Sequence, residues 1–314
     1  MSQSLPQRAA TPAAPATKNT IDRGEARDGY LMLLPTIIGV LLFFAVPLGI
    51  SLYLSFTDLR LVGPGNFVAL ANYQEAILDK TFHLALRNTF VFSLLTLIFS
   101  IVPALLLAML LNQNIRGRAF FRGVFFIPVV ASVIAVGLLW RYLLNKDFGF
   151  VNYGLSLLGF SRVSWLTNSD VALLSVILVA AWRTIGYNLV IFLAGLQGVP
   201  AQLYEAASID GASKWKQFWY ITLPMLSPTT FFICVTTLIN SLQAFNESYA
   251  LGVNRSGSAG PSNSMLTIVF YLWQEGFSEN RRGYASAVAW ILFALTMVIT
   301  VIQFRGSRRW VNYE

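Results

Sequence analysis

Residues 205–224 read EAASIDGASKWKQFWYITLP, and this stretch is the most informative part of the sequence. It is polar and charged near its centre, yet it lies between two long apolar runs. A membrane protein that keeps a structured polar segment between two spans is expected to present it to a partner, because such a segment has no place in lipid. Whether the flanking runs cross a membrane follows from the composition.

The composition predicts a polytopic membrane protein. The chain has 314 residues, of which 56% are hydrophobic and 11% are charged, and its mean hydropathy is +0.62. Ordinary soluble domains carry roughly 25% charged residues, so this class is excluded. The net charge of +8 is attributed to cytoplasmic loops rather than to nucleic-acid binding, since no basic stripe is interleaved with exposed aromatics. The single cysteine, Cys234, excludes a disulfide within the chain.

The apolar runs predict an all-α protein with six transmembrane helices, because a helix needs roughly 20 apolar residues to cross a bilayer. Prolines within these runs are tolerated, since neighbouring helices can satisfy the carbonyl groups that they free. The predicted spans are residues 31–56, 89–111, 119–143, 171–196, 224–246 and 284–304.

Six spans place both chain ends on one side of the membrane, and the basic residues indicate which side. Lys and Arg are denser in residues 1–29, 112–118, 197–223 and 305–314 than in the alternate loops, which predicts cytoplasmic termini. Residues 1–29 contain no apolar run, so they are expected to form a disordered cytoplasmic tail rather than a signal peptide. The first span would then serve as a retained signal anchor.

Local signals predict two short helices within the polar stretch. Pro200 can begin a helix, and Gly211 can adopt the left-handed backbone that ends one. Ser213 can cap a second helix over residues 214–220, and Pro224 marks the entry to the next span. The alternative is an amphipathic helix that only lies on the membrane surface.

The spacing within the stretch favours the first interpretation. Glu205-Ala206-Ala207 is followed after three residues by Gly211, and after nine more by Ile221, one residue and Leu223-Pro224. This pattern resembles the cytoplasmic coupling loop of the membrane-spanning permease subunits of binding-protein-dependent ABC importers. The chain is most similar to the carbohydrate group, which includes maltose- and glycerol-3-phosphate-type permeases. The resemblance covers roughly residues 30–310, and includes an outer segment in which Ala259 replaces the usual glycine before Gly260-Pro261.

The resemblance implies a type I ABC importer permease fold in a bacterial plasma (inner) membrane. The permease domain would cover residues 30–310, with a coupling loop at 200–223 and a short cytoplasmic tail at 311–314. The implied partners are a second, homologous permease subunit, two ABC ATPase subunits, a periplasmic or lipid-anchored solute-binding protein and membrane lipid. The implied ATPase-coupling residues are Glu205, Ala206, Ala207, Asp210, Gly211, Ile221, Leu223 and Pro224.

The sequence offers no catalytic or metal site of its own. It has no GxxxxGK[ST] phosphate-binding loop, no metal-ligand cluster and no evident nucleophile–base pair, and its one histidine, His83, lies near an outer loop. The chain is therefore not expected to be an enzyme or to bind a cofactor. The resemblance implies that ATP and Mg²⁺ bind to the partner ATPase subunits.

Polar residues inside the apolar runs predict a transport path, because they are costly in lipid and tend to face a cavity or another helix. Arg183 in the fourth span either faces a wet cavity or a polar partner, or it pairs with a backbone carbonyl or an acidic residue near the membrane surface. Residues 182–188 and the Phe245-Asn246 pair resemble sugar-contacting segments of maltose-type permeases. Asn240 is instead expected to bond between helices. The predicted path residues are Arg183, Gly186, Tyr187, Asn188, Gln243, Phe245 and Asn246.

Two other functions remain open from the sequence. A secondary transporter that works without ATP needs acidic residues inside the spans, and Glu247 lies only at the end of the fifth. A membrane scaffold would leave the spacing from Glu205 to Pro224 unexplained.

Overall fold

The computed structural model describes residues 23–60, 63, 65–252 and 257–311, and its regular structure there is helical apart from one antiparallel bridge between Thr57 and Phe67. The chain divides into two compact units, residues 1–51 and 52–314. The expectation of a disordered tail falls largely on residues 1–22, which lie outside the described residues, as do residues 312–314 of the short C-terminal tail. From Arg23 onward the chain is already helical.

The first unit holds helix α1 (Arg23–Val40), a π-helical turn (Leu41–Ala45) and most of helix α2 (Val46–Ser55). The stretch Arg27–Ser55 is 29 residues long with a mean hydropathy of 2.5, which is long and apolar enough to cross a membrane.

The second unit is built around three long apolar helices. They are α4 (Lys80–Leu111), α8 (Ser169–Gln197) and α15 (Arg282–Ser307), and each is long enough to cross a membrane. The most apolar window of α8 is 56% buried against 28% for α4 and 22% for α15, so α8 is the central helix. Side-chain caps fix the starts of two of these helices: the carboxylate of Asp79 accepts from the N–H of Thr81, and the amide oxygen of Asn168 accepts from the N–H of Asp170.

Two further apolar runs are bent. Helices α5 (Arg118–Val130) and α6 (Val133–Leu143) meet at 100°, where Pro128 and the extended backbone of Ala131 interrupt the helix. The stretch Lys214–Met225 meets Ser227–Leu242 at 62°. The described residues therefore contain four helices long enough to span a membrane, or up to six if each bent pair is one span.

Shorter helices connect and cover the long ones. They are α3 (Ala71–Leu78), α7 (Phe150–Leu157), α9 (Ala201–Ile209), α10 (Lys214–Gln217), α11 (Leu223–Met225), α12 (Ser227–Leu242), α13 (Asn246–Gly252) and α14 (Ile268–Trp273).

The core of the second unit has two apolar ends. One end packs the first half of α4 and α8 against α13, α14 and α15, with Phe92, Ile177 and Phe270 fully buried. The other packs the second half of α4 and α8 against α12, with small residues such as Ala104 and Ala108 bringing the helices close. Between the two ends lies a polar layer, formed by Ser93, Thr96 and Ser100 of α4, Arg183, Thr184 and Asn188 of α8, and Thr237 and Ser241 of α12.

Candidate solute cavity and elbow segment

A cavity of about 390 Å³ opens in the polar layer, between α4, α5, α8, α12 and α13. Its walls combine hydroxyl groups, amides and two phenylalanine rings with one cation and one anion. The residues that line it include Phe92, Thr96, Arg183, Thr184, Tyr187, Thr237, Asn240, Ser241, Gln243, Phe245, Asn246 and Glu247.

The cation and the anion form an ion pair across the cavity wall. Nη1 of Arg183 on α8 lies 2.5 Å from Oε1 of Glu247 at the start of α13, and the two side chains are 18% and 16% exposed. Arg183 thus lines the cavity and is paired with an acidic residue at the same time. The pairing explains how an arginine is accommodated in the middle of an apolar helix, because an unpaired charge there is costly.

The structure brings five of the seven predicted path residues to the cavity: Arg183, Tyr187, Gln243, Phe245 and Asn246. Asn188 lies elsewhere and is fully buried; its Nδ2 donates to Ser100 Oγ at 3.2 Å, and its Oδ1 accepts from Thr237 Oγ1 at 3.4 Å. It therefore joins three helices. Asn240, for which the sequence favoured such a bond, lines the cavity instead.

Gly186 also lies away from the cavity, at the contact between α5 and α8. A Cβ atom at this position would lie 2.1 Å from the carbonyl oxygen of Phe125, so only glycine lets the two helices pack this closely. The role of Gly186 in the structure is helix packing.

Sequence reasoning missed the hydroxyl groups of the cavity. Ser and Thr in apolar helices usually bond to the carbonyl one turn earlier, as Thr184 does to Ala180 at 2.8 Å, so they carry no signal of a polar site. Thr96 is different, because its Oγ1 is buried and has no hydrogen-bond partner among the described residues.

The second candidate site is the elbow, residues 200–223, which follows directly from α8. Pro200 precedes α9, Gly211 has a φ of +76°, and the Ser213 side chain caps α10 by accepting from the N–H of Lys216. The prediction of two short helices is confirmed. The second is shorter than the predicted 214–220, since α10 ends at Gln217 and a π-helical turn (Phe218–Thr222) leads into α11.

Internal hydrogen bonds make the elbow one body. Gln217 is buried, and its Nε2 donates to Ser208 Oγ at 2.9 Å and to the carbonyl of Ala212 at 3.2 Å. The hydroxyl groups of Tyr204 and Thr222 lie 2.9 Å apart. Because these bonds join α9 to the segment after it, a force on one helix moves the other.

Four of the eight predicted coupling residues are exposed. Glu205, Ala206, Asp210 and Gly211 are exposed, while Ala207, Ile221, Leu223 and Pro224 are half-buried. Beside them the apolar side chains of Ile209 and Trp215 are 87% and 69% exposed. An exposed apolar patch rimmed by charged groups is typical of a protein–protein contact.

A third group of polar residues, which the sequence did not reveal, lies at the end of the bundle opposite the elbow. We call it the Asp79 cluster; its members are Glu75, Asp79, Tyr271, Glu275, Arg281 and Tyr284. Asp79 accepts hydrogen bonds from the hydroxyl groups of Tyr271 and Tyr284, and Arg281 pairs with both Glu75 and Glu275. The cluster ties the start of α4 to α14 and α15.

Hydrogen bonding sets the ionisation of this cluster. Burial alone would raise the pKa of Asp79, but donation from Tyr271, from the N–H of Thr81 and from Tyr284 outweighs it, so the pKa lies below the ordinary 3.8. Burial and the bond to Asp79 raise the pKa of Tyr271. Burial raises the pKa of Glu275, although Arg281 opposes this.

Replacing Asp79 by Asn is expected to lower the stability of the purified protein at pH 7 by about 1 kcal/mol, because a charged hydrogen-bond acceptor is lost at a partly exposed site. The lowered pKa means that the carboxylate stabilises the fold above about pH 3.8, and that this contribution is lost as the pH falls through the folded-state pKa. The melting temperature in detergent at pH 7 and near pH 3 measures both effects. Asp147→Asn, the same change at an exposed position outside the cluster, is the matched control. If Asp79→Asn lowers the melting temperature by as much near pH 3 as at pH 7, the lowered pKa of Asp79 does not stabilise the fold as described.

No group of three or more His, Cys, Asp or Glu side chains in the described part of the chain is placed to hold a metal ion.

A bundle of long apolar helices around a polar cavity, with an exposed polar elbow, defines a membrane transport component. The chain belongs to the family described as binding-protein-dependent transport system inner membrane component, whose model matches residues 89–312. It is thus a multi-pass inner-membrane protein, and the resemblance drawn from its sequence is confirmed.

Named relatives agree with this assignment. The chain is 38% identical over 280 residues to the arabinooligosaccharides transport system permease protein AraP of Bacillus subtilis (strain 168), covering 88% of each chain. It is 35% identical over 287 residues to the sn-glycerol-3-phosphate transport system permease protein UgpA of Agrobacterium fabrum (strain C58 / ATCC 33970), covering 90% of this chain and 96% of the relative. These relatives are transport permease components.

A solved structure has the same fold. A chain of a bacterial ABC transporter involved in the import of the acidic polysaccharide alginate matches 90% of this chain and 96% of its own length, with a TM-score of 0.78 and 28% sequence identity. That transporter has also been solved in complex with an alginate pentasaccharide-bound periplasmic protein, with the same match to this chain.

Proposed function

We propose that this protein is the membrane-spanning permease subunit of an ATP-driven, binding-protein-dependent importer for a saccharide or a related solute, such as a sugar alcohol or glycerol phosphate. The observation that carries the proposal is that one helix, α8, joins the polar cavity to the exposed elbow. Arg183 and Tyr187 of α8 line the cavity, and the same helix leads through Pro200 into α9. At 1.5 Å per residue, the part of α8 from Arg183 to its end at Gln197 is roughly 20 Å long, and the elbow begins three residues further on.

This geometry couples solute movement to an external motor. ATP with Mg²⁺ binds to two separate ATPase subunits and supplies the energy, and this chain contributes the mechanical link. Closure of the ATPases pushes on Glu205, Asp210 and their neighbours, and the internally bonded elbow transmits the displacement to α8. The cavity then alternates between the two sides of the membrane.

The rest of the assembly follows from the same role. The solute path continues between this chain and a second, homologous permease subunit, and a periplasmic or lipid-anchored binding protein delivers the solute. The similar transport systems act on arabinooligosaccharides, sn-glycerol-3-phosphate and alginate, which supports a saccharide or related solute for this chain. The path residues of this chain are Arg183, Tyr187, Gln243, Phe245 and Asn246, while Gly186 and Asn188 hold the helices that carry them.

The proposed topology has six spans and both termini in the cytoplasm. Each bent pair, α5 with α6 and α10–α11 with α12, counts as one span. Residues 1–29 and 311–314 are then cytoplasmic tails of a permease domain at 30–310.

A secondary transporter is less well supported by the polar groups present. In α4, α8 and α15 no carboxylate lies beyond the first turn, and Glu247 is held by Arg183. An ion-coupled transporter needs a carboxylate that is free to exchange its ion.

The functional test is uptake by reconstituted vesicles, which is expected to require both ATP and the binding protein.

The topology is tested by labelling single cysteines, since Cys234 is the only native one. In a Cys234→Ser background, Ser208→Cys in the elbow and Ser278→Cys near the Asp79 cluster both place a thiol at an exposed position. A membrane-impermeant maleimide is expected to label Ser208→Cys only in inside-out vesicles and Ser278→Cys only in right-side-out vesicles. The reverse pattern would overturn the orientation, and labelling of both from one side would overturn the span count.

A further inference from the structure

The charges that face the solute cavity cancel each other. Among the described residues that line it, Arg183 and Glu247 are the charged ones, and they are paired with each other. The remaining polar groups are hydroxyl groups and amides, which carry no formal charge. This wall of the path therefore offers hydrogen bonds without a net charge.

Two buried polar atoms at the cavity have unused hydrogen-bonding capacity. Thr96 is 2% exposed, and its Oγ1 has no partner within the described structure. The same holds for Nε of Arg183, although Nη1 of that side chain is paired with Glu247. Buried polar atoms left without a partner are costly, and a bound molecule can supply the partner. A solute hydroxyl group suits both atoms, because it can donate to one and accept from the other.

The aromatic wall is rigid and apolar. Phe245 lines the cavity and stacks on Tyr249 with ring centroids 5.2 Å apart, and its edge meets Phe270 at 5.7 Å. A ring held in this way offers an apolar contact to the C–H groups of a sugar ring, and this contact does not depend on charge.

We propose that this cavity selects uncharged, polyhydroxylated solutes over their anionic counterparts, and that Glu247 sets the selection by neutralising Arg183. An anionic solute could bind Arg183 only by displacing Glu247, which would leave that carboxylate buried and unpaired. The inference rests on the proposed function and narrows its solute class from saccharides and glycerol phosphates to neutral saccharides.

Binding to the assembled transporter in lipid nanodiscs, without the binding protein, tests the selection directly. The neutral probes are xylobiose and galactobiose, and the anionic probe is digalacturonate, each titrated by saturation-transfer difference NMR. The wild-type complex is expected to prefer a neutral probe by about tenfold or more, since a solute carboxylate must be desolvated without a free cation. Equal or tighter binding of digalacturonate would overturn the proposal, and so would binding of no probe above the level of empty nanodiscs.

Glu247→Gln removes the neutralising charge and keeps a hydrogen-bond acceptor for Arg183. Its preference is expected to move toward digalacturonate by about tenfold, because Arg183 becomes free to pair with the solute carboxylate. Glu279→Gln removes the same charge at an exposed position and is expected to leave the preference unchanged. An unchanged preference in a folded Glu247→Gln complex would contradict the role of Glu247, and the wild-type titration decides the selection if that variant fails to assemble.

The same preparation separates the inference from the function on which it rests. If uptake into proteoliposomes requires ATP and the binding protein while digalacturonate binds as well as galactobiose, the charge selection is wrong and the permease function stands. If uptake does not require ATP, the proposed function fails independently of the solute class.

Discussion

Glu205→Lys is expected to reduce ATP-driven uptake at least tenfold, the loss that corresponds to about 1.4 kcal/mol of coupling free energy. Glu205 is exposed on α9, which also carries the exposed apolar side chain of Ile209, so reversing its charge changes the surface that we propose meets the ATPase and leaves the cavity unchanged. Solute binding to the assembled complex should stay at the wild-type level. Stimulation of ATP hydrolysis by the binding protein should fall together with uptake.

Gly211→Val tests the shape of the same surface. Gly211 has a φ of +76°, a conformation that costs a side-chain-bearing residue about 1–2 kcal/mol, so the turn between α9 and α10 should shift. Uptake is again expected to fall about tenfold or more.

Matched controls separate coupling from general damage. Gln202→Lys adds a positive charge at an exposed position on α9, and Gly154→Val fills open space in α7, where a Cβ atom meets nothing within 4 Å. Both controls should transport at close to the wild-type rate. Normal uptake and normal ATPase association in Glu205→Lys and Gly211→Val would rule out the coupling role of the elbow.

The second large effect concerns the ion pair between Arg183 and Glu247. Arg183→Met and Glu247→Leu are each expected to destabilise the helix bundle by about 3–5 kcal/mol, because each leaves the partner charge buried and unpaired. The double variant should lose far less than the sum, since it removes both charges and replaces them with apolar groups. Unfolding of the purified protein in mixed micelles with increasing SDS measures the free energies, and this double-mutant cycle gives the coupling.

Additive losses in this cycle would contradict the pairing. Arg305→Met provides the comparison for removing an arginine, because this residue lies exposed in the last turn of α15. Its loss should stay within about 0.5 kcal/mol.

The elbow could be predicted in detail because its determinants are local. The start at Pro200, the left-handed turn at Gly211 and the cap at Ser213 each depend on the residue itself and its near neighbours. The π-helical turn at Phe218–Thr222 could not be predicted in this way, since Thr222 at its end also bonds to the more distant Tyr204. The Thr222 hydroxyl group donates to the carbonyl of Gln217 as well.

The long helices follow from the apolar runs, but their breaks do not. Hydropathy predicts one span over residues 119–143, whereas the helix that contains Pro128 ends at Val130 and the chain turns by 100° before α6. The fifth predicted span, residues 224–246, is also interrupted: its helix ends at Leu242, and α13 begins after a break, at Asn246. Hydropathy measures how well a segment partitions into lipid, and it does not indicate where a helix bends.

The cavity was predictable where polar residues stand out against apolar ones, as Arg183 and the amides of α12 do. The ion pair between Arg183 and Glu247 could not be predicted, because the two residues are 64 positions apart in the chain. Glu247 comes within reach of Arg183 only because the chain breaks before α13. Asn188 was expected at the cavity and lies between helices, whereas Asn240 was expected between helices and lines the cavity. The sequence cannot distinguish the two positions, since an amide suits either. The Asp79 cluster joins Asp79 to Tyr271, which are 192 positions apart, so no local sequence pattern predicts it.

We propose that this chain carries solute inward when separate ATPases act on its elbow. The most direct measurement is uptake of a labelled saccharide into proteoliposomes that contain the complete complex, with the binding protein outside and ATP inside. Uptake is expected only when both are present, and an imposed proton or sodium gradient without ATP should leave it at background. Uptake driven by such a gradient in the absence of ATP would rule out coupling to ATPases and favour a secondary transporter.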